Sequence, residues 1–589
     1  MKELKQTESN ILMGIAAAPG IAIAPAYLYS REKLEIVEGH IDDVEEAKKS
    51  LFEALERSKY ELRKILAIAN EKMGEKRAAI FEAQIMILDD PILIDNIVKR
   101  IEAEKKLPEY IVNTEISKYI DMMNSSDELY MKERSHDIED IKNRIVRNLQ
   151  KKKLKSKITE DVVVITPNLT PADTLLFSKS NVKGFITDFG GLTSHAAIVA
   201  RSLKIPAVVG AHDASKKIHT NDVIIIDGFH GVGIINPDNE QLKYYQQKLE
   251  RLAQFDKELM LIRDEPAVTQ DGREIILRGN IDVPDEIEML IQNGGKGIGL
   301  LRTEQIFGDI ETFPDEEEQY QTYNMMAEKA YPVSVIIRAF DVGGDKFLPH
   351  DIKEPNPFLG WRGIRFLLDN PDIFKTQMRA VLRASVHKNI KFMLPMISSL
   401  YEIKNSKQIL QSCMNELKSA NIKFDSHLKI GIMIEVPSAA VMAKEFASEV
   451  DFISIGTNDL IQFILAVDRG NDIVSSDYQE FHPAVVRTLN HIISEAKKEN
   501  TLVSICGEMA GDTFAIPLLV GMGLDSVSVV PSAIPYIKKI IKCINFEKAR
   551  KLAEDCLKCS KMEDITERID KFFKDNSVEQ QKNILDEKT

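Results

Sequence analysis

A chain of 589 residues is too long for a single hydrophobic core, so two to four domains are expected. With 44% apolar and 29% charged residues it has the composition of an ordinary soluble protein, and a formal charge of −14 argues against a general nucleic-acid binder, which needs a basic surface. Five cysteines are too few for a disulfide framework and fit a reducing cytoplasm.

The stretch from Ile11 to Tyr29 is nearly uncharged and follows Lys2 and Lys5, which loosely imitates a signal peptide. Glu3 and Glu8 spoil the positive leader, and Pro19-Gly20 and Pro25 break the run, so two short strands joined at Pro-Gly are expected. No other stretch is long and apolar enough to span a bilayer. Residues 40–150 are charged and poor in Gly and Pro, with apolar residues at helical spacing such as Leu51, Leu55, Leu62 and Leu66. They predict an all-α insertion, two helical hairpins, which by itself suits a coiled-coil spacer or a partner-docking module.

From Asp161 to Asn236 short β-branched strands (162–166, 184–187, 207–209, 223–227 and 232–235) alternate with helices such as 171–178 and 196–203. Within this stretch Gly190 and Gly191 permit a tight turn, and Thr193 and Ser194 suit an N-cap before Ala196–Ala200. His195 then falls in the first helical turn. There the macrodipole disfavours imidazolium and leaves a neutral, nucleophilic nitrogen, and the free backbone N–H groups suit a phosphate. Taken alone, such a His is more often an ordinary helix-start residue.

Residues 238–263 read as a polar helix ended by Asp264-Glu-Pro, a connector. Beyond Asp271, strand candidates at 275–279, 297–301, 334–338, 391–394, 429–434, 452–456, 502–505 and 526–530 alternate with helices. Eight such repeats suggest a (βα)₈ barrel, though a doubly wound sheet gives a similar pattern. The strand ends carry Arg302, Arg338, Asp341, Glu435, Asn458, Asp459, Cys506 and Glu508, a set suited to an anionic substrate with a metal at a barrel rim. The basic segment 378–391 reads as a solvated helix face. The Cys556–Cys559 pair reads as helix-surface or half-buried thiols without a zinc or redox role.

The string Gly190-Gly-Leu-Thr-Ser-His-Ala-Ala-Ile-Val-Ala-Arg resembles the phosphohistidine loop of the phosphoenolpyruvate-utilising enzymes. Leu192 stands where the enzyme I branch usually has Arg or Lys. Further strings are similar to that branch: Ile80-Phe-Glu-Ala-Gln-Ile-Met-Ile-Leu-Asp-Asp-Pro, Glu133-Arg-Ser-His-Asp-Ile-Glu-Asp-Ile-Lys-Asn-Arg, Gly297-Ile-Gly-Leu-Leu-Arg-Thr-Glu, Ile337-Arg-Ala-Phe-Asp-Val-Gly-Gly-Asp-Lys, Gly431-Ile-Met-Ile-Glu-Val-Pro-Ser, Phe452-Ile-Ser-Ile-Gly-Thr-Asn-Asp-Leu and Cys506-Gly-Glu-Met-Ala-Gly. The dikinase and synthase branches carry a nucleotide-binding domain for which this chain has no room.

The resemblance implies a multidomain α/β protein. Residues 1–38 plus 151–237 would form a phosphohistidine α/β domain, with 39–150 an all-α inserted subdomain that docks the phosphocarrier HPr. A helical linker, 238–270, would lead to a phosphoenolpyruvate-binding and dimerising (βα)₈ TIM barrel, 271–575, and a polar tail, 576–589. The same resemblance makes His195 the tele-phosphohistidine and Cys506 the proton donor. Arg302, Arg338, Asn458, Asp459, Arg469, Lys346 and Arg362 would bind substrate, and Glu435 and Asp459 would hold Mg²⁺. It further implies a cytoplasmic homodimer acting in sugar uptake, with no nucleic acid and no stable membrane insertion. Trp361 is assigned to packing.

Overall fold

The computed structural model describes residues 10–29, 34–73, 75–125, 129–152, 158, 160–169, 181–191, 197, 200–201, 205–284, 286–306, 313–343, 354, 356–469, 471, 474 and 477–576. The expected helices at 171–178 and most of 196–203 lie outside them, as does nearly all of the polar tail. The chain divides after Leu252 into two compact units.

In the first unit the helical stretch comprises α1 (Val44–Met73), α2 (Glu75–Leu88), α3 (Pro91–Glu104), α4 (Pro108–Asn124) and α5 (Leu129–Leu149). These are five helices where two hairpins were expected. Asp90 sets the start of α3 by accepting from Ile92 N at 2.8 Å, with Pro91 at the first helical position. Leu51, Leu55, Leu62, Ile97, Ile101, Ile111 and Ile145 form a core separate from that of the sheet. Asn148 Nδ2 donates to Ser58 Oγ at 2.9 Å and ties α5 to α1 inside it. Leu51 is fully buried there, and Leu51→Ala is expected to cost about 2–5 kcal/mol. Denaturant unfolding should show the loss as a shifted midpoint of this unit's transition.

The same unit contains an eight-stranded sheet: β1 (Ile11–Met13), β2 (Ile15–Ala18), β3 (Ile21–Leu28), β4 (Val162–Thr166), β5 (Val182–Thr187), β6 (Ala207–Val209), β7 (Val223–Asp227) and β8 (Val232–Ile235), in the order β1-β8-β7-β3-β4-β5-β6-β2. β3-β4, β4-β5 and β5-β6 pair in parallel and the outer pairs run antiparallel. The apolar N-terminal run is indeed strand. It is interrupted at Gly14 as well as Pro19-Gly20, because β1 pairs with β8 while β2 pairs with β6. Gly14 N donates to Gly231 O at 2.8 Å at that crossing, and a Cβ on Gly14 would meet Val209 O at 2.7 Å. Lys248 is buried against Asp227 at 3.2 Å.

The second unit is a closed parallel barrel of β9 (Ile276–Ile281), β10 (Ile298–Arg302), β11 (Val335–Arg338), β12 (Ile390–Leu394), β13 (Lys429–Ile434), β14 (Phe452–Gly456), β15 (Leu502–Cys506) and β16 (Ser526–Val529). β16 closes on β9 with Ser526 opposite Ile276. These strands read as unbroken Ile/Val/Leu runs because both faces are covered. One set, such as Ile337, Phe392, Ile432, Ile453 and Ile505, packs outward under the helices. The other set fills the lumen with Leu300, Ile336, Met393, Met433, Phe452 and Cys506. The doubly wound alternative is thereby excluded.

Two local readings are corrected. Cys556 and Cys559 are both buried, because the closing helix Met562–Asp575 lays Ile565, Ile569 and Phe573 on the same core. Arg568 Nε donates to Cys559 Sγ at 3.1 Å. The basic segment 378–391 is not a plain solvated face. Arg379 and Arg383 pair with Glu316 at 2.6 and 2.9 Å, and Lys391 points along the lumen set of β12. Trp361 does pack as expected, edge-on to Phe366 with ring centroids 4.9 Å apart, and donates to Asp369 at 2.8 Å.

Candidate active site

Each strand delivers its polar residue where its apolar run stops, so the C-terminal rim of the barrel collects them. Arg302 and Arg338 end adjacent strands in register with one another. Arg302, about a third exposed, donates through Nη1 to both Asp282 oxygens at 3.2 Å. Arg338 is buried between two carboxylates. One Nη bonds Glu304, and the other lies 3.3 Å from Asp341. Asp341 also accepts from Arg362 Nη2 at 2.8 Å and Nε at 3.2 Å, and Arg362 Nη2 reaches Asp459 Oδ2 at 3.2 Å. Glu304, Arg338, Asp341, Arg362 and Asp459 thus alternate in charge across the rim. The close approach at Arg362 needs Gly343: at its φ of +118°, a Cβ would meet Trp361 O at 2.1 Å.

Burial opposes the charge of Arg338, but Glu304, Asp341 and Glu435 outweigh it and hold the guanidinium firmly protonated. Burial opposes Arg362 likewise and is outweighed by Asp341 and Asp459. Glu435, just past β13, is buried and accepts from Met396 N at 2.6 Å. Burial, then the Asp459 and Asp341 carboxylates, push its pKa well above the usual carboxylate range.

Asn458 and Asp459 open the helix Thr457–Leu465 after β14. Glu508 N donates to Asn458 Oδ1 at 2.8 Å, and Asn458 Nδ2 donates to Glu508 at 3.3 Å. Arg469 lies 4.0 Å from Glu508. Cys506 closes β15 with its thiol buried beside Ser454 Oγ at 3.5 Å and Ile455 O at 3.4 Å. Burial pushes this thiol up, so it stays a neutral S–H.

The structure therefore brings together Arg302, Arg338, Arg362, Glu435, Asn458, Asp459, Arg469 and Cys506. His195, Lys346 and Leu192 lie outside the described residues. The approach to His195 is described: Thr187 Oγ1 donates to Phe189 O at 2.7 Å, and Asp188 accepts from Ser215 N at 2.8 Å. Beyond it, Ala197 and Ala200 are helical and buried against the sheet. Sequence reasoning missed Glu304 and Asp282 as functional residues. Their only signal was an acid just past the end of a strand, β10 for Glu304 and β9 for Asp282, and the pairing partner is set by barrel register.

A magnesium site fits these side chains. Among the described residues Asp282, Glu304, Asp341, Glu435, Asp459 and Glu508 stand against Arg302, Arg338, Arg362 and Arg469, an excess of acid. Asp459 Oδ1 is buried without a partner among the described residues, a costly state unless a cation takes it. No cluster of three or more ligating side chains occurs among the described residues. Two carboxylates suit a small hard cation that keeps several of its own waters.

Comparison with known proteins gives the family of the chain. Residues 13–134 match the family description "PEP-utilising enzyme, N-terminal", 158–231 "PEP-utilising enzyme, mobile domain", and 256–546 "PEP-utilising enzyme, PEP-binding domain". The chain is 42% identical over 565 residues to the phosphoenolpyruvate-protein phosphotransferase of Listeria monocytogenes, covering 95% of this chain and 99% of that one. It is 40% identical over 567 residues to the phosphoenolpyruvate-protein phosphotransferase of Bacillus subtilis, covering 96% and 100%. A solution structure of an enzyme I protein, nEIt, is 42% identical and covers 41% of this chain and 98% of its own, with a TM-score of 0.36.

Proposed function

Because the chain belongs to the phosphoenolpyruvate-protein phosphotransferase family, we propose that it takes the phosphoryl group of phosphoenolpyruvate onto His195 and passes it to a histidine of the carrier HPr. The observation that carries the proposal is the buried alternating chain Glu304–Arg338–Asp341–Arg362–Asp459 at the barrel rim. Such a chain holds planar cations rigidly toward one point, which phosphate recognition requires.

In this reading Arg302 and Arg338, with Lys346, grip the phosphate. Asn458 and Arg469 hold the carboxylate, and Arg362 orients Asp459. Magnesium, held by Glu435 and Asp459, would neutralise charge on the substrate oxygens. The neutral His195 nitrogen attacks phosphorus in line. The N–P bond forms as the P–O bond to enolpyruvate breaks, and charge neutralisation matters more than covalent assistance. The enolate then takes the proton of Cys506 at C3, giving pyruvate, and solvent returns a proton to sulfur. A hinge at 238–270 would carry His195 between barrel and helical docking surface, giving two populations in single-molecule distance measurements across it. The working form is a cytoplasmic homodimer joined through the barrel and feeding sugar uptake; sedimentation of the purified chain checks the dimer. No helix among the described residues is long and apolar enough to cross a membrane.

Incubation with radiolabelled phosphoenolpyruvate and Mg²⁺ should give an acid-labile adduct that maps to residue 195. No label, or label elsewhere, would refute the proposal. For Cys506→Ala, labelling should persist, while with phosphoenolpyruvate carrying tritium stereospecifically at C3, solvent deuterium should enter without facial selectivity and give a racemic methyl in pyruvate. Full selectivity in that variant would remove Cys506 as the acid. The thiol's buried, protonated state supports the assignment.

A further inference from the structure

The other end of the barrel holds a second set of charges. Arg278 on β9, Lys391 on β12 and Lys429 on β13 all belong to the lumen-facing phase of their strands. Leu277, Phe392 and Ile430, their neighbours, pack outward. All three sit near the N-terminal strand ends, with Lys391 paired in register to Lys429. An apolar layer of Ile336, Met393, Met433 and Phe452 separates them from Arg338, Glu435 and Cys506. The Lys391 ammonium lies over the Phe452 ring, 5.6 Å from its centre.

No acid among the described residues forms an ion pair with this group, and the buried Arg278 Nε has no hydrogen-bond partner among those residues. Two acids just before β14 and β16 are engaged by backbone N–H groups. Asp451 accepts from Ile430 N at 2.8 Å, while Asp525 accepts from Val503 N at 2.9 Å and lies 3.8 Å from Arg273. Burial, then Arg278 and Lys429, lower the Lys391 pKa to about 8, with the Asp451 carboxylate opposing them. The N-terminal face of such a barrel ordinarily serves stability, which the partly buried, unpaired Arg278 and Lys391 oppose. Ser526 and Ser528 on the neighbouring strand add hydroxyls to the same phase; Ser528 Oγ donates to Asn280 Oδ1 at 2.6 Å.

We propose that Arg278, Lys391 and Lys429 form a second anion site, at the N-terminal mouth of the barrel, for a small oxyanion of the inorganic phosphate class. A guanidinium and two ammoniums converging from strands on different sides of the lumen match a compact ion carrying two or more negative charges. The site stands apart from the rim and does not rest on the phosphotransfer reading.

Equilibrium dialysis of the full chain against radiolabelled inorganic phosphate tests it. Two classes of site are expected. Lys391→Met should weaken one class at least tenfold, and Lys429→Gln, at an exposed position that does not disturb the core, should weaken the same class about threefold. Arg302→Met should affect only the other class. Labelling of Lys391→Met by phosphoenolpyruvate should be unchanged. Two undiminished classes in Lys391→Met and Lys429→Gln, or a single wild-type class that disappears in Arg302→Met, overturns the proposal.

Discussion

Arg338→Lys is expected to slow labelling by phosphoenolpyruvate about a thousandfold, although the charge is kept. Arg338 is wedged between Glu304 and Asp341 and is almost fully buried. Its guanidinium satisfies both acids from its edges and still presents N–H groups toward a substrate phosphate. An ammonium is a point charge on a flexible stem and cannot serve three directions at once. One of the two carboxylates would then lose its partner while remaining buried, a state that costs several kcal/mol. Losing a fixed donor to the transferring group costs about 3–4 kcal/mol in the transition state, which sets the thousandfold figure. Arg302→Lys should cost only about tenfold, since Arg302 is more exposed and, among the described residues, pairs with Asp282 alone. Single-turnover labelling, on variants whose circular dichroism matches the parent, measures both. A loss below tenfold in Arg338→Lys would show that the buried chain does not govern phosphate binding.

These two arginines also show how far the sequence carries. The barrel strands were legible because unbroken β-branched runs repeat with helical spacers between them, and their ends fell within about two residues of the structural ones. The rim residues were legible because a charged side chain ending an apolar run has few places to go but the rim. What was not legible is pairing. That Arg338 meets Glu304, 34 positions earlier, follows from the register that sets Arg302 beside Arg338. No local pattern encodes that register. The buried Cys556–Cys559 pair was misread for the same reason: its cover comes with the helix Met562–Asp575, which follows a turn whose direction the spacing does not reveal. Arg278 passed unnoticed, and Lys391 was read into a solvated helix face, because a basic residue early in a strand looks solvent-facing until the barrel closes around it.

Glu435→Gln should abolish magnesium-dependent labelling and also remove a pH dependence from the metal-free protein. Burial and the Asp459 and Asp341 carboxylates raise the folded-state pKa of Glu435 above the ordinary 4.5. From pH 4.5 upward to that raised value the folded chain holds a proton that the unfolded chain has released. The linkage slope is then negative, so this group's contribution to stability is fully present below pH 4.5 and is lost as pH rises. A glutamine keeps the oxygen that accepts from Met396 N but cannot ionise, so the difference between parent and variant isolates the effect. In chelator, the parent's thermal midpoint should fall relative to that of Glu435→Gln between pH 5 and 8. Adding Mg²⁺ at pH 7 should reverse the difference and release a proton from the parent only, because a dication displaces the proton that burial retains. Loss of the charge that faces the substrate oxygens removes several kcal/mol of transition-state stabilisation, on the order of a thousandfold in labelling rate. Parallel pH profiles for the two proteins, with labelling retained in the variant, would mean that Glu435 is neither protonated in the empty site nor a ligand in the filled one.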